Sequence, residues 1–216
     1  MYNIDLLRKE MKKHNIDACI VPTADPHLSE YIPDCYKLRQ WLCGFTGSAG
    51  ELVVTKNDSG LWTDGRYYIQ AEMELSGSET KLYKASEKET IKIHEYLVNS
   101  LNKNDRVGID GKMFSKSSAD FLEKKLRKKG IVLVNDFDPS VIWENRPPQP
   151  QGKAFILEEK YAGESAQSKI NRIRSKMAED KADYFIVSSL EEVMWLLNIR
   201  GNDISYTPVM LCYFFA

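Results

Sequence analysis

The chain has 216 residues, of which 43% are hydrophobic and 28% charged, and its net charge is −1. This length and composition suit one large domain or two small ones with hydrophobic cores. The balanced charge argues against a dedicated nucleic-acid-binding protein, which carries a basic excess, and no apolar run of about 18 residues predicts a transmembrane helix. We therefore expect no nucleic-acid partner and no membrane partner.

The chain opens with a predicted helix followed by a predicted strand. Apolar residues at positions 4, 7 and 11 share one helical face, and Asn15 is suited to end the helix. The apolar run Ala18–Val21 stops at Pro22 and is typical of a buried strand. Residues 23–39 are polar and contain two prolines, which predicts a long ordered loop with a helical turn.

Strands and helices then intermix as far as residue 135. Glu51–Thr55 and Leu61–Asp64 predict a hairpin, since the polar segment KNDSG separates them. Ser115 is suited to cap a helix and Gly130 to end it. Further strands are predicted at 81–84, 106–110 and 131–135, and further helices at 67–75 and 93–101. The predicted fold class is therefore α/β, with a mixed sheet flanked by helices.

The cysteines and histidines indicate the cellular compartment and bear on metal binding. The four cysteines form no C-x-x-C pair, and the three histidines are scattered, without an H-E-x-x-H motif. The N-terminal segment is charged and lacks the apolar stretch of a signal peptide. We expect reduced, mostly buried thiols in a cytoplasmic protein, and no complete metal site within this chain.

A proline-rich segment divides the chain. The run NRPPQPQG (145–152) favours an extended, semi-rigid connector. We therefore predict a first domain at residues 1–144, a linker at 145–160 and a second domain at 161–216.

The second predicted domain repeats the start of the first. Residues 6–21 align without gaps to residues 172–187, a shift of 166 residues, and WLCGFTG (41–47) matches WLLNIRG (195–201), a shift of 154 residues. Two matches in the same order favour an internal duplication over two unrelated helix–strand units. The first copy continues through a hairpin and further elements, whereas the second stops at 207–216. We expect an incomplete second copy with unpaired strand edges, produced by a truncated gene or a deliberately shortened chain.

Several motifs resemble one peptidase family. TADPHLSEYIP (23–33), GFTGSAG (44–50) and WTDGRYYIQA (62–71), in this order and spacing, resemble aminopeptidase P, and more narrowly its three-domain cytosolic branch. WLLNIRGNDISYTPV (195–209) is similar to the start of the second domain in that branch, and ENRPPQP (144–150) resembles the segment between domains. The resemblance covers the whole chain.

The resemblance implies two tandem creatinase-like α/β domains with a ribonuclease H-like fold, the second of them truncated here. In the family a C-terminal "pita-bread" domain follows, which is absent here and holds two divalent metal ions, usually manganese, through two Asp, one His and two Glu ligands. The family removes the N-terminal residue of a peptide when proline is second. Because no position of this sequence matches the metal-ligand motifs, we expect the non-catalytic N-terminal region of a homodimeric Xaa-Pro aminopeptidase, inactive by itself.

Arg66, in the motif DGRYY (64–68), is the first candidate site residue. By resemblance, the arginine at this position reaches toward the substrate end of the catalytic cleft, and its forked donors suit carboxylates and carbonyls. The alternative is an internal ion pair between Arg66 and Asp64 or another acid, which would fix the exit of the hairpin.

Asp25 and His27 are the other candidate substrate-binding residues. They form a polar cluster on the predicted loop, and His27 is suited to contact a peptide or a partner subunit. The alternative is an Asx-type turn at Asp25 before Pro26, with His27 simply exposed.

The glycine-rich loop GFTGSAG (44–50) is interpreted as structural. It lacks the lysine of a P-loop and the context of a G-x-G-x-x-G fingerprint, and Ser48 does not lie in a G-x-S-x-G motif. We expect close backbone packing beside this loop.

Other functions remain open from the sequence. The creatinase-like fold also occurs in proteins that have lost catalysis and bind peptides or other proteins, so the alternative to the enzyme is a catalytically inactive binding module. A prolidase or creatinase is a third possible identity, but the presence of two domain copies argues against it.

Overall fold

The structure is a computed structural model that describes residues 3–216. The described chain forms two compact units, the first comprising residues 3–26 and 34–147 and the second residues 27–33 and 148–216. Residues 1 and 2 of the predicted first domain lie outside the described residues. None of the helices formed by residues 3–216 has the length and apolar character needed to span a membrane.

The first unit is built on a six-stranded sheet. Its strands are β1 (Ala18–Pro22), β2 (Glu51–Thr55), β3 (Ser59–Thr63), β4 (Thr80–Lys84), β5 (Arg106–Gly108) and β6 (Val132–Val134). Their order in the sheet is β4-β3-β2-β1-β5-β6. β2 runs antiparallel to both its neighbours, and the other strand pairs are parallel. The predicted hairpin and the predicted mixed α/β class are confirmed.

Helices cover both faces of this sheet. They are α1 (Ile4–Lys13), α2 (Leu38–Cys43), α3 (Tyr68–Glu74), α4 (Ile93–Ser100) and α5 (Lys116–Arg127). Side chains alternate between the two faces of a strand, so Leu52 and Val54 join one buried cluster with α1, α2 and α3. Val53 points to the opposite face and joins a second buried cluster with α4 and α5.

Several helix ends were predicted correctly from single capping or terminating residues in the sequence. Asn15 adopts a positive φ of 54° just after α1, as expected for a left-handed terminator. The Oγ of Ser115 accepts the backbone N–H of Ser118 at the start of α5, and Gly130 follows α5 with φ of 75°.

Helix α2 was not predicted. It spans six residues and follows a single 3₁₀ turn at Asp34–Tyr36, within and just after the segment expected to be a loop. Gly44 ends α2 in the left-handed conformation, with φ of 81°. A helix this short has little stability of its own, and α2 forms because Leu38 and Leu42 are buried in the first apolar cluster.

The second unit contains shorter elements. They are β7 (Phe155–Ile156), α6 (Glu159–Ala162), α7 (Ala166–Asp180), β8 (Ile186–Val187), α8 (Leu190–Leu197), β9 (Ile199–Arg200) and β10 (Phe214–Phe215). β7 pairs with β9, and β8 with β10, both antiparallel. Its apolar cluster centres on α8, where Leu190, Val193 and Met194 are buried. β7 and the start of α6 lie within the segment 145–160 that was predicted to be a linker.

Candidate functional site

The corner that carries Arg66 follows the end of β3. Asp64 comes directly after the strand, and its Oδ1 accepts the backbone N–H of Arg66 at 3.0 Å, which closes a 3₁₀ turn over Gly65–Tyr67. A short aspartate side chain favours such a turn because it can reach the backbone two residues ahead. Helix α3 begins at the next residue, Tyr68. The corner therefore fixes the backbone of Arg66 against the rigid edge of the hairpin.

The side chain of Arg66 forms a forked ion pair with Asp64. Its Nε lies 3.0 Å from Oδ1 and its Nη2 lies 2.9 Å from Oδ2. The hydrogen bond from Arg66 lowers the pKa of the Asp64 carboxyl, and the guanidinium also lies 5.2 Å from the centre of the Tyr67 ring. This is the internal ion pair considered as the alternative for Arg66.

The ion pair leaves Arg66 accessible. The Arg66 side chain is 63% exposed, and ion pairs in such an environment contribute little to stability because water competes for both partners. A ligand carboxylate can therefore replace Asp64 at the guanidinium without a large loss of folding free energy. The substrate role of Arg66 stays a prediction.

The glycine-rich loop next to this corner is held by a buried arginine. Arg39, on α2, is 3% exposed and donates from Nε to Thr23 Oγ1 at 2.7 Å and from Nη1 to the carbonyl oxygen of Phe45 at 2.8 Å. Its Nη2 donates to the carbonyl oxygen of Gly47. Sequence reasoning missed Arg39. The signal that could have found it is an arginine within six residues of a glycine-rich loop whose carbonyl groups need donors.

Other side chains complete the attachment of this loop. The hydroxyls of Ser48 and Tyr67 are hydrogen-bonded at 2.7 Å, and Thr63 Oγ1 donates to the carbonyl oxygen of Ala49 at 2.7 Å. A Cβ at Gly47 would lie 2.3 Å from the Phe45 ring, so only glycine fits there. Ser48 is thus bound to a tyrosine, and the contacts are those expected for a packed structural loop.

Asp25 and His27 lie in different units. Asp25 is fully buried in the first unit, whereas His27 belongs to the second. The Nδ1 of His27 lies 2.9 Å from the carbonyl oxygen of Ser188, and since a carbonyl only accepts, Nδ1 carries the proton. The ring of His27 also lies 4.4 Å from that of Tyr213. The substrate or partner contacts of Asp25 and His27 stay predictions.

Metal ligands and thiols are the other candidate groups for a functional site. Across residues 3–216, no three or more His, Cys, Asp and Glu side chains are grouped so as to hold a metal ion. All four cysteines are free thiols, and Cys19, Cys35 and Cys43 are buried. Burial raises the pKa of the Cys19 and Cys43 thiols, which disfavours the reactive thiolate at neutral pH.

Comparisons with known proteins connect this architecture to a family of enzymes. Xaa-Pro aminopeptidase 1 of Dictyostelium discoideum is 40% identical over 97% of this chain and 35% of its own length. Aminopeptidase P2 of Arabidopsis thaliana is 38% identical over 92% of this chain and 28% of its own length. The chain thus spans about a third of the length of these relatives.

A solved structure and two family models cover the whole described chain. The X-prolyl aminopeptidase of Caenorhabditis elegans, described as a cytosolic enzyme with a di-nuclear active site, superimposes with a TM-score of 0.92 at 30% identity, over 100% of this chain and 37% of that one. Two models, both described as Creatinase/Prolidase N-terminal domain, match residues 3–144 and residues 145–216. The chain therefore belongs to the creatinase/prolidase N-terminal domain family.

Proposed function

We propose that this chain is the N-terminal, non-catalytic region of a metal-dependent Xaa-Pro aminopeptidase, which removes the residue that precedes proline at a peptide N-terminus. The observation that carries the proposal is the match to the C. elegans enzyme, which extends over 100% of this chain but only 37% of that enzyme. The described residues therefore match a part of an X-prolyl aminopeptidase rather than the whole enzyme.

The chemistry belongs outside this chain in this proposal. The di-nuclear active site of the C. elegans enzyme supports a pair of divalent metal ions, which we propose to be manganese, and such a pair activates a water molecule and polarises the scissile carbonyl. Residues 3–216 do not fit this centre because they present no cluster of metal ligands. No step of the reaction is therefore assigned to the present residues.

Arg66 is the residue through which this chain would contribute to substrate binding. Its guanidinium is exposed, forked and held by a weak surface ion pair, so a peptide carbonyl or carboxylate can take the place of Asp64. His27 is the second candidate for contacting a peptide, with its ring held by the hydrogen bond between Nδ1 and the carbonyl oxygen of Ser188. For Asp25, full burial favours a structural role over direct substrate contact.

We further propose a cytoplasmic location and a homodimeric parent enzyme. The location is supported by the description of the C. elegans enzyme as cytosolic. The contribution of this chain to the parent would then be substrate access, contacts between domains and contacts between subunits.

The test begins with the complete reading frame. We expect the coding DNA after Ala216 to encode a metal-binding set of two Asp, one His and two Glu. The encoded full-length protein, supplied with Mn²⁺, should cleave a peptide with proline second and leave the matched peptide with alanine second intact. The 216-residue chain alone should cleave neither. A reading frame without such a set would contradict the enzyme and favour the binding module.

The role of Arg66 is tested in the same full-length protein. Arg66→Ala should raise the KM for the proline peptide about tenfold, the effect of losing one charge-assisted contact. The matched control is Arg172→Ala, because Arg172 is 62% exposed and forms the same forked ion pair with Glu164. Equal KM values for the two variants would contradict a substrate role for Arg66.

A further inference from the structure

A pocket of about 460 Å³ lies in the first unit between the sheet and the first turns of α4 and α5. Its floor is formed by Ile20, Glu51 and Trp62, which come from β1, β2 and β3. The segment after β4 forms one wall, and Phe114 and Phe121 belong to the other. The volume falls in the range of small-molecule sites, which is roughly 300–1,000 Å³.

Glu51 places a carboxylate on an otherwise apolar face of the sheet. It is the first residue of β2, two positions before Val53, so both side chains point toward α4 and α5. Among residues 3–216, no hydrogen bond or ion pair reaches the Glu51 side chain, although it is half-buried. Burial raises the pKa of this carboxyl, which reflects the cost of a charge without a partner.

Trp62, one of the aromatic residues of the pocket, is held in place by its neighbours. The Trp62 ring stacks on Tyr83 with centroids 4.0 Å apart, and its Nε1 donates to the carbonyl oxygen of Ile91 at 2.8 Å. Phe121 meets His94 edge-on at 5.3 Å. A preformed aromatic site loses little conformational entropy when a ligand enters, and aromatic rings attract cations.

Among the described residues that line the pocket, Glu51 is the only acidic one. Burial, followed by the charge of Lys125, lowers the pKa of His94, which disfavours a positive charge on this ring. Lys92 is exposed, at the pocket edge, and α5 contributes only serine and apolar side chains to the lining. An anion would be repelled by Glu51, and a neutral ligand would leave the carboxylate without a partner.

We propose that this pocket binds a small organic cation, an ammonium group carried on an apolar body the size of one aromatic ring, with Glu51 as its ion-pair partner. The apolar body would contact Trp62, Phe114 and Phe121. The proposal does not depend on peptidase activity, since every residue it uses lies in the first unit.

The experiment compares three ligands of equal size on the 216-residue chain. Phenethylamine, 2-phenylethanol and 3-phenylpropionate are titrated into ¹⁵N-labelled protein, and the indole N–H resonance of Trp62 reports binding at the pocket. We expect the amine to bind at least tenfold more tightly than the alcohol and the carboxylate to bind least. Equal affinities for the amine and the alcohol, or no shift of the Trp62 resonance with any ligand, would overturn the proposal.

Two variants separate the charge of Glu51 from the shape of the pocket. Glu51→Gln keeps the shape, and should weaken amine binding about tenfold while leaving alcohol binding unchanged. Glu123→Gln removes the same charge from an exposed position on α5 and should change neither affinity. Amine binding that is equal in both variants would contradict a role for Glu51. The comparison of ligands on the unmodified chain decides the question even if Glu51→Gln does not fold.

Discussion

The two units contain similar helix–strand pairs but differ in how much of their apolar surface is covered by other elements. In the first unit, a six-stranded sheet lies between two buried apolar clusters. The described residues of the second unit form two sheets of two strands each. These residues contain a single buried apolar cluster. Tyr184, Ile186 and Phe215 of the second unit are 71%, 66% and 64% exposed. The number of strands that accompany a helix–strand pair, rather than the pair itself, decides whether its apolar face is covered.

The equivalent pieces agree in detail at the end of the first helix of each copy. The shift of 166 residues pairs Asn15 with Lys181, and their φ values are 54° and 55°. It also pairs Met11 with Met177, whose carbonyl oxygens accept the N–H of residues 16 and 182 at 2.8 and 2.9 Å. A lysine adopts the left-handed conformation rarely, so its occurrence at this position supports the proposed duplication.

A second pair of equivalent contacts involves the tryptophan that both copies contain, Trp41 in the first and Trp195 in the second. Asn3 donates to the carbonyl oxygen of Trp41 at 2.9 Å, and Lys169, its counterpart under the same shift, donates to that of Trp195 at 2.7 Å. Under the shift of 154 residues, Gly44 and Asn198 match, and both end a helix in the left-handed conformation. The second copy therefore has a buried charged residue, Lys169, where the first copy has the uncharged Asn3.

The largest expected effect concerns the buried cation of the first unit. Arg39→Met would leave the carbonyl oxygens of Phe45 and Gly47 without donors, and we expect a loss of about 3 kcal/mol in unfolding free energy. Urea titration followed through the Val53 amide resonance measures it. Lys37→Met, which removes an exposed cation two residues earlier, should cost less than about 1 kcal/mol. Similar losses in both variants would show that Arg39 is not the anchor of the loop.

The next effect concerns the buried cation of the second unit. Lys169 is 2% exposed, and its Nζ donates to the carbonyl oxygen of Trp195 at 2.7 Å and to Asn198 Oδ1 at 2.6 Å. Lys169→Met should cost about 2 kcal/mol, less than Arg39→Met, because fewer acceptors lose a donor. The Val193 amide resonance reports the second unit during urea titration. Lys176→Met, on the exposed side of the same helix, is the control. A loss larger than that of Arg39→Met would reverse the comparison.

The smallest effect compares the two forked surface ion pairs. The hydrogen bond from Arg66 is the main cause of the lowered pKa of Asp64, whereas Glu164 owes its lowered pKa first to the Ser168 hydroxyl and then to Arg172. Arg66→Met should therefore raise the pKa of Asp64 more than Arg172→Met raises that of Glu164. NMR titration of the carboxyl carbons measures both shifts, and equal shifts would contradict this difference between the units.

The pH dependence of stability follows from the same carboxyls. Because the folded-state pKa of Asp64 is lowered, its contribution is present above the unfolded value, about 3.9, and is lost as the pH falls through the folded value. In Arg66→Met this acid-dependent part of the unfolding free energy should shrink. Arg66 is exposed and Asp64 is half-buried, so water competes for the ion pair and the change is small.

The sequence by itself determined the elements that depend on neighbouring residues. The apolar spacing of α1, the hairpin of β2 and β3, and the cap at Ser115 are all local patterns, and the structure contains each of them. The motifs around 23–33, 44–50 and 62–71 also indicated the family, since short segments carry its signature.

Only the tertiary structure decided the features that join distant parts of the chain. Helix α2 forms through burial of its apolar residues, Arg39 meets carbonyl groups presented by the following loop, and Glu51 faces a pocket bounded by helices that begin 42 and 65 residues later. The sequence allows two interpretations of Arg66, and the ion pair with Asp64 is evident only from the side-chain geometry. Whether a charge is buried, paired or open to a ligand depends on which strands and helices meet around it, and a linear pattern does not specify that arrangement.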